Sequence, residues 1–292
     1  MPTIMESLKN KKAVIIGGSR GIGKAIAKAY LQNGAEVYLL ARDAEELSAT
    51  AQELGAFGMV KSLPIDVSVP VEMEHAAREV LKAFDTIDIL VNAAAVYGPI
   101  GPVTEVAPEE WKQAIEVNLF GPFLSVHYFA PHMTQKQGTI INFVGGGEGP
   151  FPRFTSYVSS KGGIARFTEA IAEEFKEKGI DVNAIAPGAV NTKLLDDLLK
   201  AGPEKAGKET YEKFLKQKES GGTPPEKAAA LCVFLASNEA RGITGKVISA
   251  VWDVYEDFPK HRKEMDGSDV YTMRRVRPEW RGLDFGERKE GQ

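Results

Sequence analysis

Tyr157 and Lys161 stand four residues apart, the spacing that sets two side chains on one face of a helix. An ammonium beside a phenol favours the phenolate, lowering a pKa whose reference value is about 10. Such a tyrosine can pass a proton near neutral pH. Among the eight tyrosines of the chain only Tyr157 has a lysine at this distance. The pair follows Gly138 to Phe143, which reads as a buried strand, and a glycine- and proline-rich loop, Val144 to Phe154. A strand end is where open α/β sheets carry their chemistry.

A second candidate lies near the start. Ala13 to Ile16 reads as a strand, and Gly17-Gly18-Ser19-Arg20-Gly21-Ile22-Gly23 leads into a helical pattern that stops at Asn33-Gly34. Glycines at 17, 21 and 23 allow a tight turn and close approach of a pyrophosphate to a helix N-terminus, whose free N–H groups hold the anion. The next strand, Glu36 to Ala41, ends without an acid, and Arg42 follows it. A carboxylate there would accept from a ribose 2′-hydroxyl, whereas Arg42, with Arg20 in reach, suits a 2′-phosphate. NADP(H) is thereby favoured over NAD(H). Asp43 reads as the N-cap of helix 44–54, with an inward turn as its alternative.

These residues need a framework. Strands ending at Leu63-Pro64-Ile65-Asp66-Val67, at Ile87 to Val91 and at Asp181 to Ala186 alternate with helices, and Gly245 to Val251 makes a last strand. That alternation predicts a parallel, doubly wound α/β sheet in three layers. Asp66 can meet an adenine edge or cap the next turn. Asn92-Ala93-Ala94 admits a close ligand or tight layer packing. A long helix from Pro108 to about Met133 carries Asn118 among Ile115, Val117, Leu119 and Phe120, where an amide must find a partner. It ties the helix to a strand or serves the site. Residues 193–222 form a lysine-rich amphipathic insertion placed to act as a lid, its lysines a solvated face or an anion site. Residues 1–251 read as one domain, and 252–292, with Trp252, Trp280 and Arg274-Arg275-Val276-Arg277, as an extension packed on this subunit or a neighbour.

Composition sets limits. The 292 residues are 43% hydrophobic and 26% charged, enough for a large core. No apolar run reaches membrane-spanning length, and the polar opening Met1 to Lys12 lacks a signal-peptide core, so a cytoplasmic protein is expected. A net charge of −4 offers no electrostatic case for nucleic acid. The single cysteine, Cys232, excludes an intrachain disulfide and reads as a packed helical residue; the scattered histidines point to no metal.

In order and spacing, Gly17, Gly21 and Gly23, Asp66-Val67, Asn92-Ala93-Ala94, Asn118, Tyr157 with Lys161, and Pro187-Gly188 with Thr192 resemble the short-chain dehydrogenase/reductase family over roughly positions 8 to 250. The resemblance implies a seven-stranded Rossmann sheet, a nicotinamide cofactor and a homotetramer or homodimer. It assigns Tyr157 as general acid/base, Lys161 to the nicotinamide ribose and to the tyrosine's pKa, and Asn118 to a proton relay. Pro187, Gly188, Val190 and Thr192 fall to the nicotinamide and diphosphate. Three positions depart from the pattern. Ile16 replaces the usual threonine, Ala95 a glycine, and Gly145 the serine that donates to the substrate oxygen. Loss of one such donor costs about 2.7 to 4 kcal/mol in related chemistry. The expected replacements are a backbone N–H of the Gly145-Gly146-Gly147 run, Thr155, Ser156, Ser159 or a group on the substrate. Tyr97, Arg153 and the loop from Glu148 to Phe154 are expected to line the substrate pocket; Arg153 suggests an acidic or phosphorylated substrate, or pairs with Glu148. The leading expectation is hydride transfer between nicotinamide and a carbonyl or secondary alcohol. The alternative is an NADP-binding regulator or scaffold with weak or lost catalysis.

Overall fold

The computed structural model describes residues 7–135, 137–147 and 149–284. Seven parallel strands form one sheet in the order β3-β2-β1-β4-β5-β6-β7. They are β1 (Lys12–Ile16), β2 (Glu36–Ala41), β3 (Val60–Pro64), β4 (Ile89–Asn92), β5 (Thr139–Phe143), β6 (Asp181–Ala186) and β7 (Val247–Ser249). The order reverses between β1 and β4, and this switch point opens a crevice at the strand C-termini. The fold is the expected Rossmann-type α/β arrangement.

β1, β4 and β5 are apolar almost throughout because both faces are covered. Ile15, Val37, Leu39, Val91 and Ile141 face α1 (Gly21–Gln32) and α9 (Pro225–Ala236), with Cys232 buried between. Val14, Ile16, Leu40, Leu90 and Ile140 face α3 (Pro70–Ala83) and the α4–α5 region. α2 (Ala44–Leu54) begins at Asp43, whose carboxylate accepts from the Glu46 amide at 3.0 Å, the expected N-cap.

The long helix predicted from Pro108 to Met133 is interrupted. α4 (Pro108–Ile115) passes into a π-helical turn, Glu116–Phe120, before α5 (Gly121–Phe129), and a 3₁₀ turn closes at His132. Asn118 lies within the π turn, which hydrophobic periodicity does not encode. α6 (Thr155–Glu174) carries Tyr157 and Lys161. The 193–222 insertion forms two helices, α7 (Lys193–Ala206) and α8 (Lys208–Ser220), with Gly202-Pro203 breaking the first near its end.

Beyond β7 the chain turns back on its own subunit. The short helix α10 (Arg262–Met265) buries Met265, and Phe258 is buried just before it. Val247 N–H donates to the Tyr271 carbonyl at 2.7 Å and Ser249 N–H to an Asp253 carboxylate oxygen at 2.7 Å. Lys246 Nζ donates to the carbonyls of Ser268 and Val270, each at 3.0 Å. The Glu169 carboxylate on α6 accepts from Met273 N–H at 2.8 Å and Arg274 Nη1 at 2.7 Å.

Candidate active site

Asn118 is fully buried, and its amide is satisfied by the backbone of Val96 in both directions. Oδ1 accepts from Val96 N–H at 2.8 Å, while Nδ2 donates to Val96 C=O at 2.8 Å and to Ser160 Oγ at 3.1 Å. Ser160 Oγ in turn donates to the Tyr157 carbonyl at 2.7 Å. Asn118 ties the helix to the segment after β4 and reaches Ser160 on the helix of Tyr157. Ser160 escaped the sequence reading. Its position, one residue before Lys161 and three after Tyr157, was the available signal.

The lysine–tyrosine couple forms, but not as expected. Lys161 Nζ lies 5.8 Å from the centroid of the Tyr157 ring and donates to the Phe143 carbonyl at 2.8 Å. Burial pushes the Tyr157 phenol up to about 12 and the Lys161 ammonium down to about 8. The expected lowering of the phenol's pKa by the ammonium does not appear: burial acts on both groups and disfavours the charged form of each.

Gly145 stands against the phenol. A Cβ on Gly145 would fall well inside 3.0 Å of the Tyr157 hydroxyl and 3.1 Å from Cζ, so the tyrosine occupies the volume a side chain at 145 would need. Gly146 and Gly147 both have positive φ. Two of the candidate hydroxyls are engaged elsewhere. Thr155 Oγ1 accepts from Trp111 Nε1 at 3.1 Å, and Ser156 Oγ donates to the Tyr97 carbonyl at 3.1 Å. Tyr97 meets Tyr157 edge-on, ring centroids 4.8 Å apart, and burial pushes its own phenol well up. Arg153, at φ +71°, turns its guanidinium to the end of α7: Nη1 donates to the carbonyls of Glu204 at 2.6 Å and Lys205 at 3.2 Å. Glu148, the alternative partner for Arg153, lies outside the described residues.

The glycine turn lies across the switch point. Gly17, at φ +84°, leaves its missing side chain to the backbone of Ala93 and Ala94, which a Cβ would overlap. Ala93 N–H donates to Ile16 C=O at 2.8 Å. A Cβ on Gly23 would overlap the Gly17 backbone, and one on Gly21 would stand 3.4 Å from Thr192 Cγ2. The α1 N-cap, Arg20, has an extended backbone and gives no side-chain acceptor to the first N–H groups, so those of the Gly21-Ile22-Gly23 turn lack a capping group. These features fit a dinucleotide's diphosphate.

Two carboxylates border the cationic residues. Glu46 accepts from Ser19 Oγ and Arg20 Nη1, each at 2.9 Å. Arg42 lies 3.9 Å from Asp66. Asp66 Oδ1 caps its own turn, accepting from Ser68 N–H at 2.9 Å and Ser68 Oγ at 2.5 Å, while Val67 packs into the core. Glu46 was missed because nothing in the local pattern links α2 to the first turn. Asn92 belongs to a buried polar chain: Ser125 Oγ donates to its Oδ1 at 2.6 Å, its Nδ2 donates to Asn142 Oδ1 at 2.8 Å, and Asn142 Nδ2 donates to Thr168 Oγ1 at 2.9 Å. Pro187 and Gly188 follow β6, Val190 N–H donates to Gly188 C=O at 3.1 Å, and Thr192 stands at the N-cap of α7.

The family model for short chain dehydrogenases matches residues 11–202. The chain belongs to this family of oxidoreductases. It is 34% identical over 251 residues to an uncharacterized oxidoreductase of Bacillus subtilis (strain 168), covering 84% of this chain and 91% of that one. It is 32% identical over 249 residues to the (2S)-[(R)-hydroxy(phenyl)methyl]succinyl-CoA dehydrogenase subunit of Thauera aromatica, covering 82% and 95%. The crystal structure of a short chain dehydrogenase from Burkholderia cenocepacia J2315 in complex with NADP superposes with a TM-score of 0.71 at 25% identity, covering 83% of this chain and 97% of that one.

Proposed function

We propose that the protein is an NADP(H)-dependent reductase or dehydrogenase acting on a carbonyl or secondary alcohol, with Tyr157 as general acid/base. The single observation that carries this reading is the hydrogen-bonded path Asn118–Ser160–Tyr157 carbonyl, with Lys161 on the same face of α6. A bound nicotinamide would supply or accept the hydride at the substrate carbon. Tyr157 Oη would give its proton to the carbonyl oxygen or take it from the alcohol. A neutral phenol is the correct form for the donating direction, and burial keeps Tyr157 neutral. Lys161, held by the Phe143 carbonyl, would meet the nicotinamide ribose, and Asn118 would hold Val96 and the start of a proton path.

Gly17, Ser19, Arg20, Gly21, Ile22 and Gly23 would hold the diphosphate side, Arg20 and Arg42 the 2′-phosphate, Asp66 and Val67 the adenine, and Asn92 to Ala94 with Pro187, Gly188, Val190 and Thr192 the nicotinamide side. The NADP(H) preference rests on those two cations. Gly145 would occupy the family's serine position, with a backbone N–H of residues 145–147 as the substitute donor. Residues 1–251 would act as one catalytic domain, in the cytoplasm, as a homodimer or homotetramer. The exposed Phe120 of the π turn and Phe123 of α5, stacked 5.6 Å apart, support a subunit interface.

NADPH oxidation by wild type and Tyr157→Phe, screened over ketones, oxo acids and ketoses, tests the reading. Turnover that survives in Tyr157→Phe would sink the assignment, and cofactor binding with no turnover on any substrate would favour a nucleotide-binding regulator.

A further inference from the structure

A second concavity opens at the N-terminal ends of the strands, away from the candidate active site. It has a volume of about 450 Å³ and lies where α6 gives way to β6, beside the turn into β7 and the short helix α10. That volume falls in the range of small-molecule sites, roughly 300 to 1,000 Å³. The Tyr157 site is at the opposite strand ends, across the six residues of β6, roughly 20 Å of strand.

Cations dominate the lining. Lys176, Arg241, Arg262 and Lys263 border the cavity with two carboxylates, Asp181 and Asp266. Two of the cations are paired: Arg241 Nη1 lies 3.4 Å from Asp181, and Lys176 Nζ 3.8 Å from Asp266. Arg262 and Lys263 have no carboxylate partner among the described residues, which leaves an excess of two positive charges. Burial pushes the Asp181 carboxyl up, against the pull of the Gly242 N–H and of Arg241 and Arg262, so one carboxylate serves two guanidinium groups.

Those guanidinium groups are also short of acceptors. Arg262 gives Nη2 to the Glu239 carbonyl, and its Nε is buried with no acceptor. Arg241 gives Nη1 and Nη2 to the Gly138 and Gln137 carbonyls, and its Nε too is buried without one. Among the described residues these are the two buried side-chain polar atoms left unpaired, and both belong to residues of this cavity. Buried donors are nearly always satisfied, so two orphans on one cavity wall mark a place built for an acceptor.

We propose that this cavity binds a small phosphomonoester, held by Arg262 and Lys263 with Arg241 behind them. Such a group carries about 1.5 to 2 negative charges at neutral pH, which matches the excess, and its oxygens accept from guanidinium and ammonium donors alike. A monocarboxylate would leave one of the two cations uncompensated. The site stands apart from the nicotinamide chemistry, because no residue lining it belongs to the candidate active site.

Calorimetric titration of the full chain with glycerol 3-phosphate in 0.15 M NaCl, beside glycerol and lactate, tests the proposal. Glycerol 3-phosphate is expected to bind saturably and at least tenfold more tightly than the other two. Lys263→Gln should raise its Kd severalfold and Arg262→Gln/Lys263→Gln tenfold or more, whereas Arg20→Gln/Arg42→Gln, at the dinucleotide end, should leave it unchanged. No saturable binding, lactate binding as tightly, or weakening only in Arg20→Gln/Arg42→Gln overturns the proposal. Lys263 is exposed, so its replacement spares the fold, and an unchanged Kd in Lys263→Gln overturns the proposal even where the double variant does not fold.

Discussion

The Tyr157 hydroxyl fills the space that a side chain on Gly145 would occupy. A serine at 145 therefore cannot be added without moving the phenol or the loop after β5. Gly145→Ser is expected to destabilise the protein by about 1 to 3 kcal/mol, as overpacked sites do, and to leave turnover unchanged or lower. A large rise in kcat would show that the native site lacks an adequate donor and that the loop yields easily.

Tyr157→Phe keeps the ring contact with Tyr97 and removes only the hydroxyl. Turnover should fall roughly 10²- to 10⁴-fold, the usual worth of a positioned acid/base, with NADPH affinity retained. Fluorescence titration beside steady-state kinetics separates the two effects.

Lys161 carries a pH signature. Its ordinary value of 10.5 drops to about 8 in the folded protein, so the folded state releases this proton first. The resulting penalty, on the order of 3 kcal/mol, is fully present below pH about 8 and fades as pH rises toward 10.5. Lys161→Met should raise Tm at pH 7, lose activity, and approach wild-type stability near pH 10. A stabilisation that grows with pH would refute the sign.

Glu46 accepts from Ser19 and from Arg20, one of the two cations proposed for the 2′-phosphate. Two like charges would then compete for one guanidinium. Glu46→Gln is expected to lower the KM for NADPH severalfold and leave that for NADH unchanged. A loss of NADPH affinity would mean that the carboxylate orients Arg20 for the phosphate.

Lys246 is buried and gives its protons to two carbonyls of the C-terminal extension. Charged donors of this kind are worth about 1.5 to 3 kcal/mol each. Lys246→Ala should expose the segment after Ser249 to limited proteolysis at protease levels that spare the wild type, while the sheet persists by circular dichroism.

The sheet and the place of Tyr157, Lys161 and the glycine turn were legible because each rests on a local signal: period, spacing, or a glycine run at a strand end. What the sequence hid was long-range. Asn118 in the π turn bonds Val96, 22 residues away. Glu46 reaches Ser19 across 27 residues, and Arg153 reaches the end of α7 across 51. The direction of the Tyr157 pKa is long-range in the same way, since the phenol is buried among Tyr97, Phe154 and Leu198 of α7, which spacing along α6 does not contain.

The bonds from Val247 and Ser249 to Tyr271 and Asp253 also act on molecules other than this one. β7 ends the sheet, and its outward N–H groups are the template on which a stray strand from another chain would grow. With both already taken by the same polypeptide, a stray strand arriving on that side finds neither donor open.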